Sequence, residues 1–369
     1  MNCFKKFKKF IEKISEKDKV AIIHHADSDG LSSAVITASC IKKLKNKNIS
    51  LRLNPPRGEI GITKENLKDL KKNKINKIII LDLAVDTTPG EFEKLKKFSD
   101  ILIIDHHPKN KKFKDKRTTI IKAEDISNEP FKYPASLMCY YLFSKINPKI
   151  TKELDWVALI GIIGDCAFDK QKKFVEKVYK KYNIKTKKDL FDSELGRITK
   201  GIDNSRYNQK EMQKHFIRLL NAKSFKDVKY LTKYNQIIEK EVKKWVKNFK
   251  KRSEHYPDLD MHLYFINPKY PLASIISTKI SFSMPSQTII VFSEIENGKR
   301  ININLRRQDK KIKLNELAHF CVNGLKNSES GGHVVASGAR ILKKDLNLFK
   351  KRIFEYLKKI NYNVNKSKQ

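Results

Sequence analysis

Two imidazoles, two carboxylates and a glycine follow an apolar run in Ile22-Ile-His-His-Ala-Asp-Ser-Asp-Gly30. Donors of these types suit a hard divalent cation. If the chain stays extended from Val20 to Asp29, side chains alternate between faces, so that His25, Asp27 and Asp29 share one side and His24 points to the other. Taken alone, the stretch also fits a strand running into an ordinary Asp/Gly turn. The same grammar recurs in Lys77-Ile-Ile-Ile-Leu-Asp82, in Ile101-Leu-Ile-Ile-Asp105-His106-His107 and in Trp156-Val-Ala-Leu-Ile-Gly-Ile-Ile-Gly-Asp165. Carboxylates and imidazoles without thiolates suit Mg²⁺ or Mn²⁺, and several shared acids point to a pair of ions about 3.5–4 Å apart. Without cations or protons such a cluster would repel itself. Two ions can activate a water, act as Lewis acids on a phosphoryl oxygen and stabilise the leaving oxygen. Helix capping by Asp82 and Asp165 is the plain alternative, but it does not account for four such endings.

A second set of candidates lies near the C-terminus. Gly331, Gly332 and Gly338 let backbone N–H groups approach an anion closely, and His333 beside them can hydrogen-bond a phosphate oxygen. Arg306 and Arg307 end an apolar segment and are natural phosphate ligands.

The elements that must position these residues read as strands separated by helices. An amphipathic helix is expected over 1–18, then a strand from Val20, a helix Leu31–Lys45, a short strand Ser50–Leu53 and a Pro-Pro-Arg-Gly loop at 55–58. A helix Thr63–Lys72, a strand Lys77–Leu83, a helix Pro89–Phe98 begun by its proline and a strand over 100–105 follow. Such βαβ units predict a parallel sheet whose carboxyl ends carry the ligand site, and every acidic motif falls there. Helices Ser136–Ser144 and Glu153–Gly164 come next, the second delivering Asp165 from its end. The domain reading is 1–190 for the parallel-sheet domain, 191–255 for a helical connector, 256–362 for a smaller α/β domain and 363–369 for a disordered tail. Within the third, strands are expected at His262–Ile266, Thr288–Phe292 and Arg300–Arg306, helices at Ser274–Ser281, Leu314–Phe320 and Leu346–Leu357, and a loop over 331–338. The fold class is α/β.

Composition narrows the function classes. The 369 residues carry a net charge of +38, which points to a polyanionic partner. Abundant lysine spread along the whole chain also fits a compositional bias. No apolar run approaches the ~18 residues of a membrane span, and no signal-peptide core follows the first lysines, so a cytoplasmic protein is expected. Five scattered cysteines with no Cys-x-x-Cys pair support neither a disulfide frame nor a zinc knuckle.

His25-Ala-Asp27-Ser-Asp29-Gly30, Leu81-Asp82, Asp105-His106-His107 and Gly164-Asp165 resemble the four motifs of the DHH phosphoesterase superfamily. Gly331-Gly332-His333-Val-Val-Ala336-Ser-Gly338, preceded by Asn304-Leu-Arg306, looks like the DHH-associated C-terminal domain of RecJ-type nucleases and nanoRNases. The resemblance implies that His25 and Asp27 bind one metal, Asp29 and His106 the other, and that Asp82 and Asp165 bridge or share the pair. It implies that Asp105 orients a neighbouring imidazole and that His107 faces the substrate phosphate. His333 and Arg306, with Gly331 and Gly332, would hold phosphates in a cleft between the domains. The expected activity is that of a RecJ-like exonuclease, with two Mn²⁺ or Mg²⁺ ions, releasing mononucleotides from an end of single-stranded DNA or RNA. The alternative is a nanoRNase-like phosphodiesterase or phosphatase acting on very short oligonucleotides, cyclic dinucleotides or phosphoadenosine phosphate. NanoRNases usually have a histidine where this chain has Ile23; His25 follows the RecJ-like and archaeal pattern. Bacterial RecJ also carries an oligonucleotide-binding fold after these domains, for which no residues are expected to remain here. Metal-less relatives in eukaryotic replisomes lose ligands, whereas each expected position is filled in this sequence. The resemblance leaves room for replication or repair proteins as partners and gives none for a membrane.

Overall fold

The computed structural model describes residues 2–55, 61–86, 90–108, 116–185, 190–205 and 209–366. They form two compact units, Met1–Asn235 and Gln236–Gln369.

In the first unit, α1 (Cys3–Glu12) is capped by Asn2 and buries Phe7, Phe10 and Ile11 at helical spacing. It is followed by β1 (Val20–His24), α2 (Ser28–Lys45), β2 (Leu51–Leu53), α3 (Lys64–Lys72), β3 (Lys77–Leu81), α4 (Phe92–Leu95), β4 (Asp100–Asp105) and β5 (Thr118–Lys122). The helices α5 (Ala135–Ile146), α6 (Pro148–Thr151), α7 (Asp155–Gly164), α8 (Lys172–Tyr182), α9 (Glu194–Ser205) and α10 (Gln209–Asn221) complete it. The strands pair in parallel in the order β2-β1-β3-β4-β5. Alternation sorts their apolar residues onto two faces. Ile22, Ile79, Leu81, Leu102 and Ile104 pack with Phe7, Val35, Phe143 and Trp156, while Ala21, Ile23, Ile78, Ile80, Ile101 and Ile103 pack with Leu67, Leu70 and Phe92. Strands covered on both faces read as continuous apolar runs, which is why their first polar residues fall at the sheet's carboxyl edge. The chain leaves β1 toward β2 on one side and returns to β3 on the other, so the crevice of this open sheet opens between β1 and β3.

The second unit contains most of α11 (Lys233–Arg252), then β6 (Glu254–Tyr256), β7 (Met261–Ile266), α12 (Ala273–Ser283), β8 (Thr288–Ile295), β9 (Arg300–Arg306), α13 (Leu314–Val322), β10 (Glu329–His333), β11 (Ala336–Leu342) and α14 (Leu346–Lys366). Its sheet runs β10-β11-β9-β8-β7-β6, parallel only between β7 and β8. Leu263, Phe292, Ile303 and Leu305 pack with Leu317 of α13 and with Phe349 and Ile353 of α14.

Several expectations need correction. The 331–338 stretch is a β-hairpin, not a loop: Gly331 pairs with Gly338, Gly332 with Ser337 and His333 with Ala336, leaving Val334 and Val335 to turn. Gly332 has φ +129° and an added Cβ would sit 2.5 Å from the Ala336 carbonyl oxygen, so its glycine marks tight strand pairing rather than a break. The helix expected over Pro89–Phe98 is the single turn α4, and residues 87–89 lie outside the described residues. So do residues 56–58 of the Pro-Pro-Arg-Gly loop. Strand β5 was not foreseen, although Thr118-Thr-Ile-Ile is a β-branched run. Residues 191–255 divide at Asn235, α9 and α10 packing in the first unit and α11 continuing into the second. Helix α14 extends to Lys366, and 367–369 lie outside the described residues. Cys40, Cys139 and Cys321 are buried thiols, Cys3 is partly buried and Cys166 exposed. Among the described residues, no helix is long and apolar enough to cross a membrane.

Candidate metal centre

Strand β1 ends at His24, so the extended run to Asp29 does not exist. The chain turns because Asp27 accepts the Gly30 N–H at 3.0 Å and caps α2, an arrangement that competes with the strand ladder. His25 and Asp27 therefore stand on a turn, and Asp29 projects from the first turn of a helix. The turn is tight enough to require Gly30: a Cβ there would lie 2.3 Å from the His25 carbonyl oxygen. His24 is buried, with Nδ1 2.6 Å from the His25 carbonyl oxygen. Burial and the Arg52 charge hold its pKa well below the usual value, which keeps it neutral.

Asp82 follows β3 directly and adopts φ +57°, the left-handed region that aspartate tolerates better than most residues. Its N–H still donates to the Ile104 carbonyl at 3.0 Å, extending the ladder with β4 past the strand's end. Asp105 closes β4, with His106 and His107 immediately beyond. Asp165 caps the C-terminal end of α7. That helix comes close because Gly161 has no side chain: a Cβ would fall 2.1 Å from Ser136 Oγ and 2.4 Å from Asp29 Oδ1.

Six of the candidate donors meet in two groups whose ligand atoms lie within 4.8 Å of one another, His25–Asp27–Asp82 and Asp29–His106–Asp165. Asp82 links them. Its Oδ2 is 3.6 Å from His25 Nδ1 and its Oδ1 is 3.3 Å from His106 Nε2, which is itself 3.3 Å from Asp165 Oδ2. His25 Nδ1 is 2.5 Å from Asp27 Oδ2. A third grouping, Asp82–His106–His107, shows that His107 also lies within reach of the cluster. Asp29 does double duty, accepting the N–H groups of Ala135 at 2.7 Å and Ser136 at 3.0 Å at the start of α5. Asp105 joins no donor group among the described residues. Its Oδ1 holds His107 Nδ1 at 2.7 Å. The donors are oxygen and imidazole nitrogen throughout, so these acidic and imidazole residues fit a divalent metal such as Mn²⁺ or Mg²⁺.

In the second unit, Arg306 is buried at the end of β9. It donates to Thr278 Oγ1, Ser274 Oγ and the carbonyls of Leu305 and Ser337, which leaves one of its five N–H groups for a ligand. Arg307, also buried, is bidentate on Asp309 and donates to Thr288 Oγ1. His333, Gly331 and Gly332 lie on the exposed edge strand β10. Around Gly331 a Cβ would meet nothing within 4 Å.

Residues 19–162 match the model of the DHH family, N-terminal domain, and residues 272–359 that of the DHHA1 domain. The chain belongs to the DHH family. Members of that family are phosphoesterases, hydrolases acting on phosphodiester bonds, and this chain is one. Among solved structures, the chain is similar to exonuclease RecJ bound to manganese, with a TM-score of 0.72 at 15% identity over 97% of this chain and 94% of that one. RecJ from Thermus thermophilus in complex with Mn²⁺ gives a TM-score of 0.63 at 13% identity over 97% and 55%. CDC45 from Entamoeba histolytica gives 0.55 at 10% identity over 97% and 99%. At these identities the likeness is one of fold. No curated protein sequence matches the chain.

The electrostatics of this DHH-family site favour a cation. Burial pushes the Asp29 carboxyl well above its ordinary value, and the Asp165 and Asp82 charges push it further. Asp165 is raised by burial and by Asp82, against the pull of His106. Burial works against charge on His25, but hydrogen bonds and charge from Asp27 and Asp82 outweigh it and hold its pKa at about 10. At neutral pH the metal-free site therefore keeps protons on imidazoles that a metal needs neutral. Metal binding should release them, so affinity for Mn²⁺ should rise with pH, about tenfold per unit for each proton displaced. Calorimetric titration in two buffers of different ionisation enthalpy counts those protons. A pH-independent affinity with no proton release would contradict this account of the site.

Three residues of the site's surroundings, Asp203, Lys122 and Asp86, were not legible in the sequence. Asp203 of α9 accepts the Ser28 N–H at 2.9 Å and steadies the start of α2 from 175 positions away. Lys122, at the end of β5, is fully buried and bonds both Asp86 and Asp105. No local motif marks any of them; for Lys122 the β-branched run before it was the available signal.

Proposed function

We propose that this DHH-family phosphoesterase is a RecJ-like exonuclease, hydrolysing phosphodiester bonds from an end of single-stranded DNA or RNA to give mononucleotides with a pair of divalent ions. The observation that carries the proposal is the pair of donor groups joined through Asp82. Support comes from the net charge of +38, which favours a polyanionic substrate, and from the fold shared with manganese-bound RecJ. His25 and Asp27 would hold one ion and Asp29 and His106 the other, with Asp82 and Asp165 shared between them. Bound there, divalent ions supply Lewis acidity toward a phosphoryl oxygen and lower the pKa of an attacking water. The chain's own groups do the rest. Asp105 holds His107 by Nδ1 and raises the pKa of the ring, so that the protonated imidazole would also donate from Nε2 to a phosphoryl oxygen. Arg306, His333 and the backbone of Gly331 and Gly332 would bind substrate phosphates.

The test is hydrolysis of end-labelled single strands of DNA and RNA, from dinucleotides to about thirty nucleotides, at several salt concentrations. Stepwise shortening of the long strands, with KM rising steeply with salt, is expected. Cleavage confined to the shortest oligomers and insensitive to salt would replace this reading with that of a small-nucleotide phosphodiesterase.

A further inference from the structure

Directly behind the Asp105-His106-His107 segment, the ammonium of Lys122 lies between two carboxylates, 2.8 Å from Asp86 Oδ1 and 2.5 Å from Asp105 Oδ2. All three side chains are fully buried. Asp105 turns its other oxygen to His107, whose Nδ1 is 2.7 Å away and whose side chain is half exposed. The result is a chain of paired groups, Asp86–Lys122–Asp105–His107, running from the interior to the surface. A position that only had to fill space between β4 and β5 would be served by an aliphatic side chain, and burying an amine is costly unless it is fully paired.

We propose that Lys122 is a positioning residue for phosphoester hydrolysis: by binding Asp105 Oδ2 it keeps that carboxylate away from the metal donors and aimed at His107, so that His107 presents Nε2 outward. The proposal rests on the phosphoesterase reading of the site and adds to it a residue outside the acidic motifs. Two consequences follow from the geometry. With Oδ2 engaged by the ammonium, Asp105 cannot rotate to join the ligand groups around Asp82 and Asp165. With Oδ1 fixed in consequence, the His107 ring keeps a single orientation, Nδ1 on Asp105 and Nε2 outward, which a group that acts on a phosphate in the transition state needs. Asp86 serves as the second anchor that holds the ammonium in place.

The test compares Lys122→Met, His107→Ala and the double variant in the full chain loaded with Mn²⁺. Lys122→Met should lower kcat by about a hundredfold, the size of a misplaced proton donor's effect, with KM and Mn²⁺ affinity within about threefold of wild type. In the double variant the two losses should not multiply, because both act through the same imidazole. Multiplicative losses, or a fall in Mn²⁺ affinity matching the fall in kcat, would overturn the assignment. If Lys122→Met does not fold, Asp86→Asn carries the test, with a several-fold lower kcat expected at unchanged Mn²⁺ affinity and an unchanged kcat overturning it. Long-range ¹H–¹⁵N spectra of the His107 ring separate this proposal from the reading beneath it. With Mg²⁺ in place of Mn²⁺, an Nδ1–H held on Asp105 in the wild type and released in Lys122→Met supports the positioning role even if no phosphodiester is cleaved, and an unaltered Nδ1–H in the variant refutes it.

Discussion

Replacing Asp82 by Asn should lower phosphodiester hydrolysis by about a thousandfold or more, because the one carboxylate that faces both donor groups is lost. Asn is the informative substitution. It keeps the size of the side chain and, like Asp, tolerates the left-handed backbone at φ +57°, so the turn after β3 is not strained as it would be by Ala. Hydrolysis rates measured with Mn²⁺ and Mg²⁺, beside circular dichroism of both proteins, check the expectation. An Asp82→Asn variant that keeps a tenth of the wild-type rate would rule out any mechanism in which Asp82 holds the metals.

Gly30→Ala should be the most damaging substitution of one atom in the site. The new methyl would lie 2.3 Å from a main-chain carbonyl, and no rotamer change can relieve a clash with backbone. The turn that carries His25 and Asp27 must open, at a cost on the order of 3 kcal/mol, and Mn²⁺ affinity should fall with it. Gly331→Ala supplies the contrast, since a Cβ there meets nothing and its φ is not in the left-handed region; its stability should stay within about 0.5 kcal/mol of wild type. Denaturant unfolding of the two variants, with and without Mn²⁺, decides the matter. Equal stabilities would mean that the turn relaxes without strain.

The parallel sheet was legible because strands covered on both faces leave long apolar runs, and because an acid or imidazole ending such a run must lie at the carboxyl edge. Ile78-Ile-Ile-Leu81 and Ile101-Leu-Ile-Ile104 announce themselves in this way. The turn at Asp27 was misread for a specific reason. The Asp-Ser-Asp-Gly stretch is at once a continuation of an alternating pattern and a helix cap, and only the capping bond to Gly30 decides between them. The hairpin at 329–342 was hidden because glycine commonly breaks structure, while here Gly332 allows close pairing. Lys122 and Asp203 illustrate a different limit. Their partners lie on remote segments, and a single ion pair or hydrogen bond leaves no periodicity for a sequence pattern to show.

Asp29 has a practical bearing on how inactive forms of this protein should be made. Its two oxygens fasten the first two amides of α5 as well as standing among the metal donors. An alanine there would unfasten a buried helix while disarming the centre, and a silent assay would then report on misfolding as readily as on chemistry. The carboxylate of Asp165, partly exposed at the end of its helix and close to His106 rather than to a main-chain amide, is the cleaner place for a dead-enzyme control.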